Sequence, residues 1–158
     1  MLVLVFILLF LIFFLPLIFH FKYKEIRWDW DSIDISKVSF PKSFIWGTAT
    51  ASHQVEGNCN NNWSKFEVGN KDDGTPNILN AQVSGLACDH WNRYKEDIKL
   101  ISDLGVKHYR FSLEWSKIEP EMGKYDDKVI EHYSDVIDEL IKNNIEPVIT
   151  LHHFSHPL

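Results

Sequence analysis

A few short segments carry the side chains able to do chemistry. His152 and His153 stand side by side, with His156 close behind. Imidazoles so spaced raise the question of a metal site. Neighbouring residues of a strand point to opposite faces, and no carboxylate falls at ligand spacing, so no metal is expected there. Arg110 and Glu114 lie on a second segment, and His53, Gln54 and Glu56 on a third. Glu114 is the one acid on an inward-facing strand end and hence a tempting catalyst. No GxGxxG or Walker sequence occurs, which removes the dinucleotide and P-loop readings, and no cofactor is expected. Cys59 and Cys88 are far apart and fit no CxxC or Cys/His zinc spacing. They read as ordinary thiols, and whether they pair stays open.

The elements that must position these groups alternate. Ile45–Thr48 reads as a strand whose end becomes the polar cluster at His53, Gln54 and Glu56. Asn58–Leu86 is loop-like, asparagine-rich and marked by Asp73-Gly74 and Thr75-Pro76 turn signals. Within it, Asn62-Trp63-Ser64 is a formal glycosylation acceptor. Asp89–Leu104 reads as a helix, with Trp91, Tyr94, Ile98, Ile101 and Leu104 at helical spacing and Gly105 as its terminator. The next run alternates, with Tyr109, Phe111 and Leu113 on one face and Arg110, Ser112 and Glu114 on the other. Asp127–Asn143 is the clearest helix, with an apolar stripe through Val129, Ile130, Tyr133, Val136, Ile137, Leu140 and Ile141. Pro147–Leu151 follows as a short apolar strand, expected to be covered on both faces.

Strands alternating with helices imply an α/β fold with parallel pairing. In a (β/α)8 barrel, functional residues sit on the loops after each strand, where Gln54, Arg110, Glu114 and the His152-His153 pair all fall. Three strands make only the beginning of such a barrel.

The start of the chain is different. Leu2–Phe19 is an unbroken apolar run, long enough to span a bilayer. No basic residue precedes it, and Lys22, Lys24 and Arg27 follow it. The expectation is a transmembrane or signal-anchor helix over residues 2–21, with the chain beyond it in the cytoplasm. Residues 22–37 then form a linker, with Trp28 and Trp30 at the membrane interface, and residues 38–158 the truncated barrel. Over 158 residues the net charge is −6 with no Lys/Arg-rich run, which argues against a nucleic-acid partner. Aromatics make up 14%, including six Trp, most of them core and some able to stack on flat ligands.

Four segments, in order, resemble glycoside hydrolase family 1, the β-glucosidases and relatives. They are Phe44–Gly57; Asp89-His90-Trp91 leading into the first long helix; Tyr109–Pro120; and Pro147–Phe154. The resemblance spans about residues 38–158 and implies a retaining glycosidase barrel hydrolysing O-glycosyl bonds, with a β-linked sugar or glycoside as partner. It assigns Gln54 and His153 to the sugar hydroxyls and Phe154 to a place beside the ring where the family often has Trp. It sets Arg110 against the nucleophilic carboxylate. An amide and an imidazole offer both donors and acceptors to neighbouring hydroxyls, and a guanidinium keeps a nearby carboxylate ionised. His152 is read as a structural neighbour and Glu114 as a structural or rim acid.

The resemblance also says what to look for and not find. Retaining glycosidases need an acid/base and a nucleophile about 5–5.5 Å apart. The family carries them in Asn-Glu-Pro and Glu-Asn-Gly segments, and neither tripeptide occurs here. The expectation is an N-terminal portion of a β-glucosidase-like enzyme, inactive alone and poorly folding because its sheet edges are uncovered. The competing reading is a membrane-anchored, non-catalytic carbohydrate-binding or interaction remnant.

Overall fold

The computed structural model describes residues 2–23 and 30–158, apart from the side chains of residues 2–7 and Trp30. The chain divides into two units, residues 1–42 and 43–158.

The first unit contains helix α1 (Leu2–Lys22) and two short 3-10 turns, Trp30–Ser32 and Ile35–Lys37. Asp34 caps the second turn by accepting from the Ser36 N–H. The transmembrane expectation for residues 2–21 is corrected here: among the described residues no helix is long and apolar enough to cross a membrane. Pro16 lies inside α1. The single-pass anchor falls with that expectation, and so do the membrane partner and the cytoplasmic placement argued from it. Lys24, Arg27 and Trp28 lie outside the described residues.

The second unit is a three-stranded parallel sheet in the order β1 (Gly47–Ala49), β2 (His108–Ser112), β3 (Glu146–Thr150). Between β1 and β2 come α2 (Ser52–Val55), α3 (Asn62–Glu67) and α4 (His90–Leu104). Between β2 and β3 come α5 (Trp115–Ile118) and α6 (Asp127–Lys142). The strands pair Thr48 with Tyr109 and Arg110 with Val148.

The two long helices form where the apolar period is 3.6 residues. α4 buries Tyr94 and Ile98 and stops at Gly105, whose φ of 82° is open to glycine and strained for other residues. α6 is capped by Asp126, which accepts from the Lys128 and Val129 N–H groups. It buries Tyr133, Val136 and Leu140, one face of the expected stripe, while Ile130 and Ile141 at its margins stay exposed. These side chains close over Tyr109 and Phe111 of β2, with Ile118 and Ile145, to make the core.

Two local expectations shift. β1 begins two residues later than Ile45, and α3 occupies a stretch read as loop. β3 is expected to be covered on both faces, yet Val148 and Ile149 are 44% and 40% exposed. The reason is its position: among the described residues β3 pairs with β2 alone, so one side of the strand is open.

Candidate functional site

The carboxyl ends of β1 and β3 open onto one cleft of about 520 Å³. β1 delivers α2, which sets Gln54 and His53 on the rim, and the turn after β3 delivers His153 and Phe154. The structure therefore brings together three of the four site residues expected from sequence. Gln54 is exposed on a single helical turn. His153 is half-buried, with Nδ1 shielded from solvent and without a hydrogen-bond partner among the described residues. Orphaned buried polar atoms are uncommon and mark places where a ligand or water completes the bonding. Phe154 is 68% exposed and sits at φ 64°. For a residue with a side chain that left-handed conformation costs about 1–2 kcal/mol, so the surrounding bonds must hold it there.

Arg110 stands outside this lining. It is on β2, where its Nη1 donates to Thr150 Oγ1 at 3.4 Å. That is a weak contact at the limit of hydrogen-bond length, and among the described residues it leaves most of the guanidinium's donors without a protein partner.

Trp63, Glu67, Ile78 and Ser84 also line the cleft, all from the segment expected to be loop. The signal that α3 exists was a local one. Asn61 accepts from the Ser64 N–H while Ser64 Oγ meets the Asn61 N–H, a reciprocal capping box. Trp63 and Phe66 are exposed at 42% and 46%, so they give no buried stripe to read.

Glu67 ties this segment to the site. Its Oε1 accepts from His53 Nε2 at 2.9 Å, and its Oε2 accepts from Ser84 N and Oγ at 2.9 and 3.0 Å. Burial works against its ionisation, but the Ser84 and His53 bonds outweigh it and hold the carboxyl below the usual range. The tautomer of His53 follows from the same network. Asn61 Oδ1 receives the Ser64 N–H, so Nδ2 faces both Glu114 Oε2 (3.0 Å) and His53 Nδ1 (3.2 Å). Nδ1 must then accept, and Nε2 carries the proton toward Glu67.

Behind the cleft lies a second set of acids. Glu114 is fully buried at 0% exposure. It caps α5, accepting from Ser116 Oγ (2.7 Å), Ser52 Oγ (3.1 Å) and Asn61 Nδ2 (3.0 Å). A carboxylate so occupied is a structural hub with no lone pair aimed at the cleft. Glu56 pairs with Lys117 Nζ at 2.9 Å and accepts from the Tyr133 hydroxyl at 2.7 Å. Burial pushes the Glu56 carboxyl up; Lys117 and Tyr133 only partly offset it. Lys117 in turn lies 3.9 Å over the Trp91 ring. Cys59 is buried enough that its thiol is pushed up to about 12, which keeps it protonated and unreactive. Both cysteines are free thiols. Among the described residues no group of three His, Cys, Asp or Glu is placed to hold a metal.

A parallel sheet flanked by helices, with amide, imidazole and aromatic side chains gathered at the strands' carboxyl ends, is the beginning of an α/β barrel with an open cleft at its C-terminal face. The family follows from comparison. The family model for glycosyl hydrolase family 1 matches residues 36–158, and the chain belongs to that family. Beta-glucosidase A of Acetivibrio thermocellus is 42% identical over 125 residues, covering 78% of this chain and 28% of that protein. Myrosinase 1 of Brevicoryne brassicae is 40% identical over 122 residues, covering 75% and 26%. Among solved structures, the family 1 b-glucosidase from Thermotoga maritima superposes with a TM-score of 0.67 at 39% identity, over 75% of this chain and 27% of that one. The chain thus spans little more than a quarter of the length of these relatives.

Proposed function

We propose that residues 38–158 are the N-terminal portion of a retaining β-glycosidase of the β-glucosidase type, and that the cleft receives the sugar of a β-glucoside. The observation that carries this reading is the convergence of Gln54, His153 and Phe154 on one open cleft. Gln54 and His153 serve the sugar hydroxyls as mixed donors and acceptors, and Phe154 offers an exposed ring for the apolar face of the pyranose. Arg110, with spare donors near the carboxyl ends of β2 and β3, supports a nucleophilic carboxylate supplied by another part of the barrel. Similarity to the beta-glucosidases above supports the choice of sugar.

These residues bind but do not cleave. Among the described residues one carboxylate, Glu67, lines the cleft, and its oxygens are engaged by His53 and Ser84. Retaining hydrolysis needs two carboxyl groups about 5–5.5 Å apart. Ligand-observed saturation-transfer NMR, which needs only dilute protein, tests the reading with methyl β-D-glucopyranoside. Transfer to the sugar protons is expected with the unsubstituted chain, together with a loss of about tenfold in affinity for Gln54→Ala or His153→Ala. Equal binding by both variants would refute the assignment. An aryl β-glucoside incubated with the chain is expected to stay intact; turnover abolished by Glu67→Gln would overturn the non-catalytic part.

A further inference from the structure

The turn that presents His153 and Phe154 is held from outside its own strand. Phe154 is in the left-handed region, and its carbonyl accepts two hydrogen bonds, from Asn62 Nδ2 and from Trp63 Nε1, both at 3.0 Å. Two residues on, the His156 N–H donates to Asn62 Oδ1 at 3.0 Å, and the Asn62 N–H donates to the His156 carbonyl at 3.1 Å. Four bonds therefore join residues 62–63 at the start of α3 to residues 154–156. Both ends of the Asn62 amide are used, the nitrogen on one peptide and the oxygen on another. Local sequence gives Phe154 no reason to adopt φ 64°, since no glycine or asparagine stands there. The clamp supplies the reason.

We infer that Asn62, seconded by the Trp63 indole, is a positioning residue for the sugar end of the cleft, fixing the Phe154 peptide and through it the direction of the His153 imidazole and the Phe154 ring. This rests on the sugar reading of the cleft. Asn62 does not itself line the cleft, so it acts by holding the turn rather than by touching the ligand. The nitrogen carries the effect: it meets the Phe154 carbonyl, whereas the oxygen serves only the His156 amide.

Two substitutions at one position separate positioning from general support. Asn62→Ala removes both bonds. Asn62→Asp keeps an oxygen for the His156 N–H but turns an acceptor toward the Phe154 carbonyl. Asn143→Ala is the control, because its Nδ2 likewise donates to a backbone carbonyl, that of Glu139 at 2.8 Å, at the far end of α6. Affinity for methyl β-D-glucopyranoside is read by saturation-transfer NMR on the full chain. Asn62→Ala is expected to weaken binding by about tenfold, since up to two hydrogen bonds' worth of positioning is lost. Asn62→Asp is expected to give no rescue, and Asn143→Ala to bind as the unsubstituted chain does. Binding by either Asn62 variant at the original affinity would overturn the inference, and so would an equal loss in Asn143→Ala. If the unsubstituted chain gives no transfer at all, the sugar reading itself fails, which is a different result from a variant that binds normally.

Discussion

Tyr133→Phe is the sharpest probe of what supports the site. The Tyr133 hydroxyl is buried at the centre of the unit, with the residue 6% exposed. It accepts from the Glu114 N–H and donates to Glu56 Oε1, both at 2.7 Å. Removing one oxygen leaves a buried backbone N–H and a buried carboxylate each short of a partner. A neutral bond of this kind is worth about 1 kcal/mol and a bond to a charged group about 1.5–3 kcal/mol. The expected loss at neutral pH is therefore about 2.5–4 kcal/mol, a large share of the stability of a domain this size. The pH dependence gives a second handle. Burial raises the folded-state pKa of Glu56 above its ordinary value, so between the two values the folded chain holds more protons than the unfolded one. Stability must then fall as pH rises through that window. Phenylalanine removes a donor from the carboxylate and moves the window further up. At about pH 4 the carboxyl is protonated and the lost bond is neutral, so the penalty shrinks to about 2 kcal/mol. Urea unfolding of both chains at the two pH values measures this. A penalty under about 1 kcal/mol at pH 7, or one that grows on acidification, would refute the network as described.

Two further outcomes follow from the geometry. Gly57 has φ 86°, and a Cβ there would stand 2.3 Å from the Leu86 carbonyl oxygen, whereas Gly105 has φ 82° and open space. Gly57→Ala is expected to cost well over about 2 kcal/mol and Gly105→Ala about 1 kcal/mol in urea unfolding; similar costs would count against the close approach. Glu67→Gln is expected to cost about 1–2 kcal/mol at neutral pH. The Glu67 carboxyl is held below the ordinary range in the folded state, so its contribution is present above the unfolded value and disappears as pH falls through the folded one. The gap between the two unfolding curves should close on acidification, and a gap independent of pH would show that its charge is irrelevant.

The sheet and its long helices were legible because their signals are local. α4 and α6 repeat at 3.6 residues over four turns, and β2 alternates so that Tyr109 and Phe111 fall on the core side. α3 was not legible that way. Its Trp63 lines an open cleft and its Phe66 is exposed rather than in the core, so hydrophobic period carried no information, and only the capping pattern Asn61-x-x-Ser64 marked it. The apolar run at the start was over-read for the opposite reason: composition alone suggests a span, while crossing a bilayer is a matter of continuous length and apolarity in one helix, which no helix among the described residues meets.

The cleft-lining residues and their supports divide along the same line. Gln54, His153 and Phe154 follow the ends of strands, so an element-by-element reading of the sequence reaches them. Their supports are pairs distant in sequence, such as Asn62 with Phe154, Tyr133 with Glu56, and Asn61 with Glu114, and no local pattern announces a contact of that kind. The physical consequence is an asymmetry in how substitutions behave. Gln54 is exposed and bonded to no described side chain, so its loss can alter affinity with little effect on folding. Glu114 answers to three other side chains at once, so its loss strands buried donors and must be felt in stability first. A buried acid at a strand end is therefore the wrong place to look for chemistry here, however catalytic its type and position make it look.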